Sequence, residues 1–296
     1  MILKPTILVQ HADFLVVAKP PDLLSHPTKP DGKPTLLGWL QEKFPGEFVA
    51  LVNRLDRETS GTVLAARSPE AASRLGTMTM RHEINKYYLA LVSGHVEAEH
   101  GVIDAPIGRL GLSEENPIWL RMGVIPPDDP QRRKSAEARS EFWRLAVSEG
   151  NRHASSPKKV AGAGPCAGAI GSRRPHTCVP GDGSGEAEHG LSRPISLLRL
   201  QVHTGRLHQL RVHLAHIGHP VIGDKIYGPD PNLYLKFIAE GWTEEHQRVL
   251  GLPRHALHAH ELSFAWNGEE LTFLAPLPED MRELALSGCV MLGAIK

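Results

Sequence analysis

The stretch that most constrains this chain is Asn53-Arg54-Leu55-Asp56-Arg57-Glu58-Thr59-Ser60-Gly61, a polar loop between the apolar runs Phe48-Val49-Ala50-Leu51-Val52 and Thr62-Val63-Leu64-Ala65-Ala66. Short apolar runs bounded by turn residues read as buried strands, so the fold must hold one acidic loop between two strands of its core. Gly61 closes that loop and can take left-handed backbone angles that other residues avoid. A carboxylate with an arginine two residues before it, in such a loop, is suited to act as a charged nucleophile or base, and Asp56 is the candidate.

Turns elsewhere decide the kind of sheet. His11-Ala12-Asp13 separates the strand formers Ile7–Val9 and Phe14–Ala18, and Asn267-Gly268 separates the alternating segment Leu257–Phe264 from Leu271–Leu274. Such turns demand antiparallel neighbours. Lys86–Val92, Phe142–Val147 and Ile195–Val202 supply further strands. Thr35 is an N-cap for a helix with Leu36, Leu37, Leu40 and Phe44 on one stripe, and Ser68-Pro69-Glu70 opens another. A third helix is expected from Gly205 to about Ile217, burying Leu207, Leu210 and Leu214 and setting His208 and Arg211 on a neighbouring face. The expectation is an α+β domain on a mixed, mostly antiparallel central sheet flanked by helices and loops.

At 296 residues and 41% hydrophobic content, one domain over 1–296 has material for a packed core. From about 151 to 193 the chain is mostly Gly, Ala, Ser and Pro with scattered charge, which cannot offset its ordering entropy, so a disordered insertion is expected there. Lys+Arg and Asp+Glu both number 33, so any nucleic-acid contact must be a local patch. Three cysteines without paired spacing fit a reducing compartment, and no run suits a signal peptide or a membrane span. A cytoplasmic protein with no membrane partner is expected. His213, His216 and His219, like His255, His258 and His260, cluster without metal-site spacing, and Cys166 with Cys178 makes no zinc motif. These histidines read as satisfied surface residues, and no metal or cofactor is expected.

The loop around Asp56 resembles the signature His-Arg-Leu-Asp-x-x-Thr-Ser-Gly of the RluA-type RNA pseudouridine synthases, with Arg54, Leu55, Asp56, Thr59, Ser60 and Gly61 matching. Asn53 stands where most members carry histidine. The segment His203-Thr204-Gly205-Arg206-Leu207-His208-Gln209-Leu210-Arg211-Val212-His213 resembles a second family pattern, and Lys86-Tyr87-Tyr88-Leu89-Ala90 a third. Lys19-Pro20 and Ala256-Leu257-His258-Ala259 are supporting matches, and the likeness runs from about Ile7 to Leu284.

This resemblance implies a pseudouridine-synthase-like fold and isomerisation of a specific uridine in ribosomal or transfer RNA. It makes Asp56 the catalytic nucleophile or base, Tyr88 a ring that stacks on uracil and assists removal of the carbon-5 proton, and Arg211 a bidentate partner of Asp56. Arg54, Thr59, Arg206, His208 and Gln209 become substrate-binding candidates, joined by Arg132 and Arg133 in a basic loop suited to phosphate contacts. Many relatives carry a small S4-type RNA-binding domain ahead of the catalytic one, and this chain is expected to work as a monomer without it. Two other readings compete. An inactive RNA-binding relative is favoured only by Asn53, and a glycosidase would use Asp56 and Glu58 as paired carboxylates.

Overall fold

The turn at His11-Ala12-Asp13 joins β1 (Thr6–Gln10) to β2 (Phe14–Lys19) as an antiparallel hairpin, closed by the His11 amide donating to the Phe14 carbonyl. The computed structural model describes residues 4–27, 32–111, 116–148, 194–288 and 290, so the segment 151–193, expected to be an insertion, lies outside the described residues. Helix α1 (Leu36–Lys43) starts where its cap predicts, with the Thr35 hydroxyl accepting from the Gly38 amide. Next come β3 (Ala50–Leu51) and β4 (Ser60–Ala66), which flank the acidic loop. Helix α2 (Pro69–Met80) begins at Ser68, whose hydroxyl accepts from the Ala71 amide.

The sheet continues through β5 (Asn85–Ser93) and β6 (His100–Asp104). A small separate hairpin of β7 (Ile107–Arg109) and β8 (Met122–Val124) precedes β9 (Arg139–Val147) and β10 (Ile195–Val202). Three helices, α3 (Gln209–His216), α4 (Asn232–Glu240) and α5 (Glu244–Leu250), lead to β11 (Leu257–Trp266), β12 (Glu269–Leu274) and α6 (Glu279–Ser287). Along the main path the order is β1-β2-β4-β11-β5-β10-β9-β6, with β12 added to β11 and β3 to β4. Among the described strands, only β4 and β11 pair in parallel. The fold is therefore the expected α+β arrangement on a mostly antiparallel mixed sheet. β9 and β10 pair across the undescribed stretch, as the strand patterns on its two flanks predict.

Every residue of β4 is buried, because both sheet faces are covered at its place in the middle. On one face Phe14, Leu64 and Phe264 pack with Leu75 of α2; on the other Leu15, Val17 and Val63 pack with Leu36 and Leu40 of α1. Burying each such side chain contributes about 2 kcal/mol. A third cluster joins β5 and β10 to Leu210 and Leu214 of α3 and to Met281 and Leu284 of α6. Among the described residues no helix is long and apolar enough to cross a membrane.

Three sequence expectations need correction. The run Phe48–Val52 yields only the two-residue β3, and Phe48 is 42% exposed. Val52 donates to the Leu64 carbonyl, but the next position is taken by a side chain, since the Leu64 amide donates to Asn53 Oδ1. Asn53 thus mimics a strand backbone and ends the ladder. The third helix starts at Gln209, not Gly205, because His208 adopts φ 56 and the Gln209 carboxamide oxygen captures the Arg206 amide and the Thr204 hydroxyl. Leu207 is consequently 44% exposed and outside the buried stripe. Finally, His213, His255 and His258 are buried, not superficial, and are held by Ser140, Thr59 and Ser60 respectively.

Candidate active site

The loop carrying Asp56 is fixed on both sides of that residue. Before it, the Ser25 hydroxyl accepts from the Leu55 amide at 3.0 Å and donates to the Leu55 carbonyl at 2.8 Å. After it, buried Lys19 donates to the Arg57 carbonyl at 3.0 Å as well as to Pro20 and Leu23. Three carbonyls around Nζ match the three hydrogens of an ammonium group. Burial pulls this amine down to about 7, with Asp56 acting in the opposite direction.

Glu58 turns inward, where Lys225 lies 2.9 Å away and the His255 amide donates to it at 3.2 Å. Thr59 meets His255 Nε2 at 2.7 Å, and Ser60 meets His258 Nδ1 at 2.9 Å. At the exit Gly61 has φ 118, and a Cβ there would stand 2.1 Å from the Ala259 carbonyl oxygen. Only glycine lets β4 approach β11 so closely.

What this scaffold leaves open is the Asp56 carboxylate, which faces a cleft of about 650 Å³ also lined by Arg54, Tyr88, Arg206, His208 and Arg211. Arg211 Nη1 donates to Asp56 Oδ2 at 3.2 Å. The expected bidentate pair goes elsewhere: Arg211 Nε and Nη2 donate to Asp224 at 2.6 and 2.8 Å. Asp224 also accepts from the Ile226 and Tyr227 amides. Burial acts to raise Asp56, but the positive charge offered by His208 and Arg211 outweighs it and holds the carboxyl below the ordinary carboxylate range. Arg211 is the permanent contributor, because burial and Arg211 itself lower His208 to about 4. Asp56 is therefore ionised at neutral pH and held by one hydrogen bond. Burial, reinforced by the charge of Asp56, raises the Tyr88 phenol and keeps it protonated.

The remaining sequence candidates divide. Arg54 Nη1 and His26 Nε2 lie 3.0 Å apart at the cleft edge, and Arg206 Nε donates to the Glu137 carbonyl. Gln209 and Thr59 line the cleft yet are committed inward, Gln209 donating to Arg139 and Ser140. Arg132 and Arg133 stand outside the lining; Arg132 is engaged by Ser135 and Glu137, and Arg133 is exposed. Sequence reasoning missed Asp224, Lys225 and Tyr227. Their signal was local, since Gly223 and Gly228 bracket them, and a Cβ on either would strike a backbone oxygen at 1.9 or 2.2 Å.

The chain as a whole is similar to known proteins. Residues 13–216 match the family model described as RNA pseudouridylate synthase. The ribosomal large subunit pseudouridine synthase D of Nitrosomonas europaea is 30% identical over 288 residues, covering 94% of this chain and 63% of that protein. Its Escherichia coli namesake is 30% identical over 286 residues, covering 94% and 68%. The chain thus spans somewhat less than two thirds of the first of these relatives. In fold it is similar to human RNA pseudouridylate synthase domain containing 4, with a TM-score of 0.63, 20% identity, and 97% and 94% of the two chains covered.

Proposed function

Because this chain belongs to the RNA pseudouridylate synthase family, we propose that it isomerises a specific uridine to pseudouridine in ribosomal or transfer RNA, with Asp56 as catalytic nucleophile or base. The carrying observation is the loop fixed at Leu55, Arg57, Glu58, Thr59 and Ser60, of whose two carboxylates Asp56, and not Glu58, lines the cleft. The reaction breaks the bond from uracil N1 to ribose C1′, rotates the base, and joins C5 to C1′; C5 loses a proton and N1 ends with one, so nothing is added or lost. An ionised carboxylate serves both open first steps, addition to the sugar and removal of a sugar proton. Tyr88 stacks on the base as a neutral phenol and relays the C5 proton, its oxygen taking that proton as its own hydroxyl proton passes to the Asp56 carboxylate once that carboxylate is free again. Arg211 orients Asp56.

Arg54, Arg206 and His208 contact the nucleotide, Thr59 and Gln209 shape the cleft wall behind it, and Arg132 and Arg133 serve as an outlying phosphate contact. The protein works as a cytoplasmic monomer, as one catalytic domain in which 151–193 is an insertion between β9 and β10. Replacing residues 152–192 with a short Gly/Ser linker leaves a folded, active enzyme on this view; an insoluble product would refute it. The glycosidase alternative fails on Glu58, which is bound by Lys225 and cannot pair with Asp56 across a substrate. Incubation with ribosomal and transfer RNA, followed by chemical detection of pseudouridine, tests the main reading, with Asp56→Asn as the control. Product from Asp56→Asn at the parent rate would overturn it.

A further inference from the structure

His208 occupies the left-handed region just before α3, at φ 56, which costs a non-glycine residue about 1 kcal/mol. Its side chain makes no cap hydrogen bond, so helix capping does not account for that conformation. The unusual backbone instead sets the imidazole between two groups. Nδ1 lies 2.8 Å from the Tyr227 hydroxyl, and Nε2 lies 3.9 Å from Asp56 Oδ2. Tyr227 also accepts from the Met122 amide of β8 at 3.0 Å.

An amide can only donate, so the phenol oxygen is its acceptor, and among the described partners Nδ1 is the one acceptor left for the hydroxyl proton. A neutral imidazole that accepts at Nδ1 carries its own proton on Nε2. That proton faces the cleft on the side of Asp56, and 3.9 Å is beyond hydrogen-bonding distance to the carboxylate itself. An oxygen of a nucleotide seated against Asp56 would fill that space.

The geometry points to His208 as a fixed hydrogen-bond donor to an oxygen of the target uridine, with Tyr227 as the positioning residue that holds its proton on Nε2. The inference rests on the reading of the site given above. The groups around the ring are consistent with a neutral donor: burial first and Arg211 second lower His208 to about 4, against the opposing pull of Asp56 and Asp224. Because Met122 belongs to β8, the same chain of hydrogen bonds ties the β7–β8 hairpin to the cleft.

Two measurements test this. Side-chain nitrogen NMR of histidine-labelled protein, with His208 assigned by its loss in His208→Gln, reads the tautomer without RNA. The expected result is Nε2–H in the parent at neutral pH and a mixture in Tyr227→Phe; an Nδ1–H parent would overturn the proposal. In turnover, His208→Ala should lose about a hundredfold in kcat with little change in KM, as for removal of one fixed donor. His208→Gln, whose carboxamide places an N–H near the Nε2 position, should recover most of that loss. Tyr227→Phe should lose about tenfold in kcat, in line with a misplaced donor. Parent-level kcat in His208→Ala while Asp56→Asn is inactive would sink the role of His208 and leave the proposed function intact. Activity surviving in Asp56→Asn would instead sink the site reading, and the tautomer measurement would still stand.

Discussion

Two aspartates share Arg211, and everything else about them differs. Asp224 is fully buried in the turn after α3, and its oxygens accept from Arg211 Nε and Nη2 and from the Ile226 and Tyr227 amides. Asp56 keeps 27% of its side chain exposed and receives one bond of 3.2 Å. A fully buried carboxylate whose two oxygens both accept from fixed donors is scaffold; it cannot reach a substrate without breaking a buried ion pair. One held by a single long bond at a cleft can. Asp224 also balances the arginine charge, so that Arg211 orients Asp56 without binding it on both oxygens.

The comparison breaks most sharply at Asp56. Asp56→Asn keeps the shape and the hydrogen bond from Arg211 but removes the charge, so turnover on RNA should fall on the order of ten-thousandfold, as when a nucleophile is removed. The melting temperature should move by no more than a few degrees, and filter binding should show RNA affinity within a few fold. A collapse in stability would place Asp56 with the scaffold.

Asp224→Asn should do the reverse. It leaves a buried guanidinium without its counter-charge, which costs about 3–5 kcal/mol in chemical denaturation. The remaining activity should fall as well, because Arg211 is then free to clamp Asp56 with both nitrogens. An Asp224→Asn protein with parent stability would show that the two carboxylates are interchangeable partners.

Arg211→Lys discriminates between geometry and charge. An ammonium cannot serve two carboxylates on two edges, so its kcat should fall about a hundredfold, nearly as far as Arg211→Ala. Activity near the parent level would mean that Arg211 supplies only diffuse positive charge.

How far these roles were legible from the chain depends on the range of the interaction. Asp56 was readable because its loop is local: Gly61, the flanking apolar runs and Arg54 lie within a few positions. The caps at Thr35 and Ser68 and the Asn267-Gly268 turn were readable for the same reason. Arg211 was picked out, but its true bidentate partner was not, since an arginine in sequence does not reveal which of two carboxylates takes its fork. The helix start failed because the left-handed His208 is paired with Tyr227, 19 positions further on, whose hydroxyl in turn accepts from the Met122 amide. The buried histidines were misread likewise: Thr59 and His255 are 196 positions apart.

Glu58 gives the finest version of the comparison, because it sits two residues from Asp56 yet faces the Asp224 turn through Lys225. Burial acts to raise its carboxyl, while His255 and Lys225 more than offset that and bring it down from 4.5 to about 2. A folded-state value below the unfolded one means that folding favours the ionised form. The resulting stability is present above about 4.5 and is lost as pH falls through about 2. Glu58→Gln removes this contribution, so the slope of melting temperature against pH in that acid window should flatten relative to the parent. At neutral pH the cost should be only about 1–2 kcal/mol, because Lys225 retains its bond to the Pro253 carbonyl. Turnover at neutral pH should stay within a few fold of the parent. If kcat instead drops as it does in Asp56→Asn, Glu58 belongs with the working carboxylate, and the division between the two aspartates would have to be redrawn through the middle of the loop.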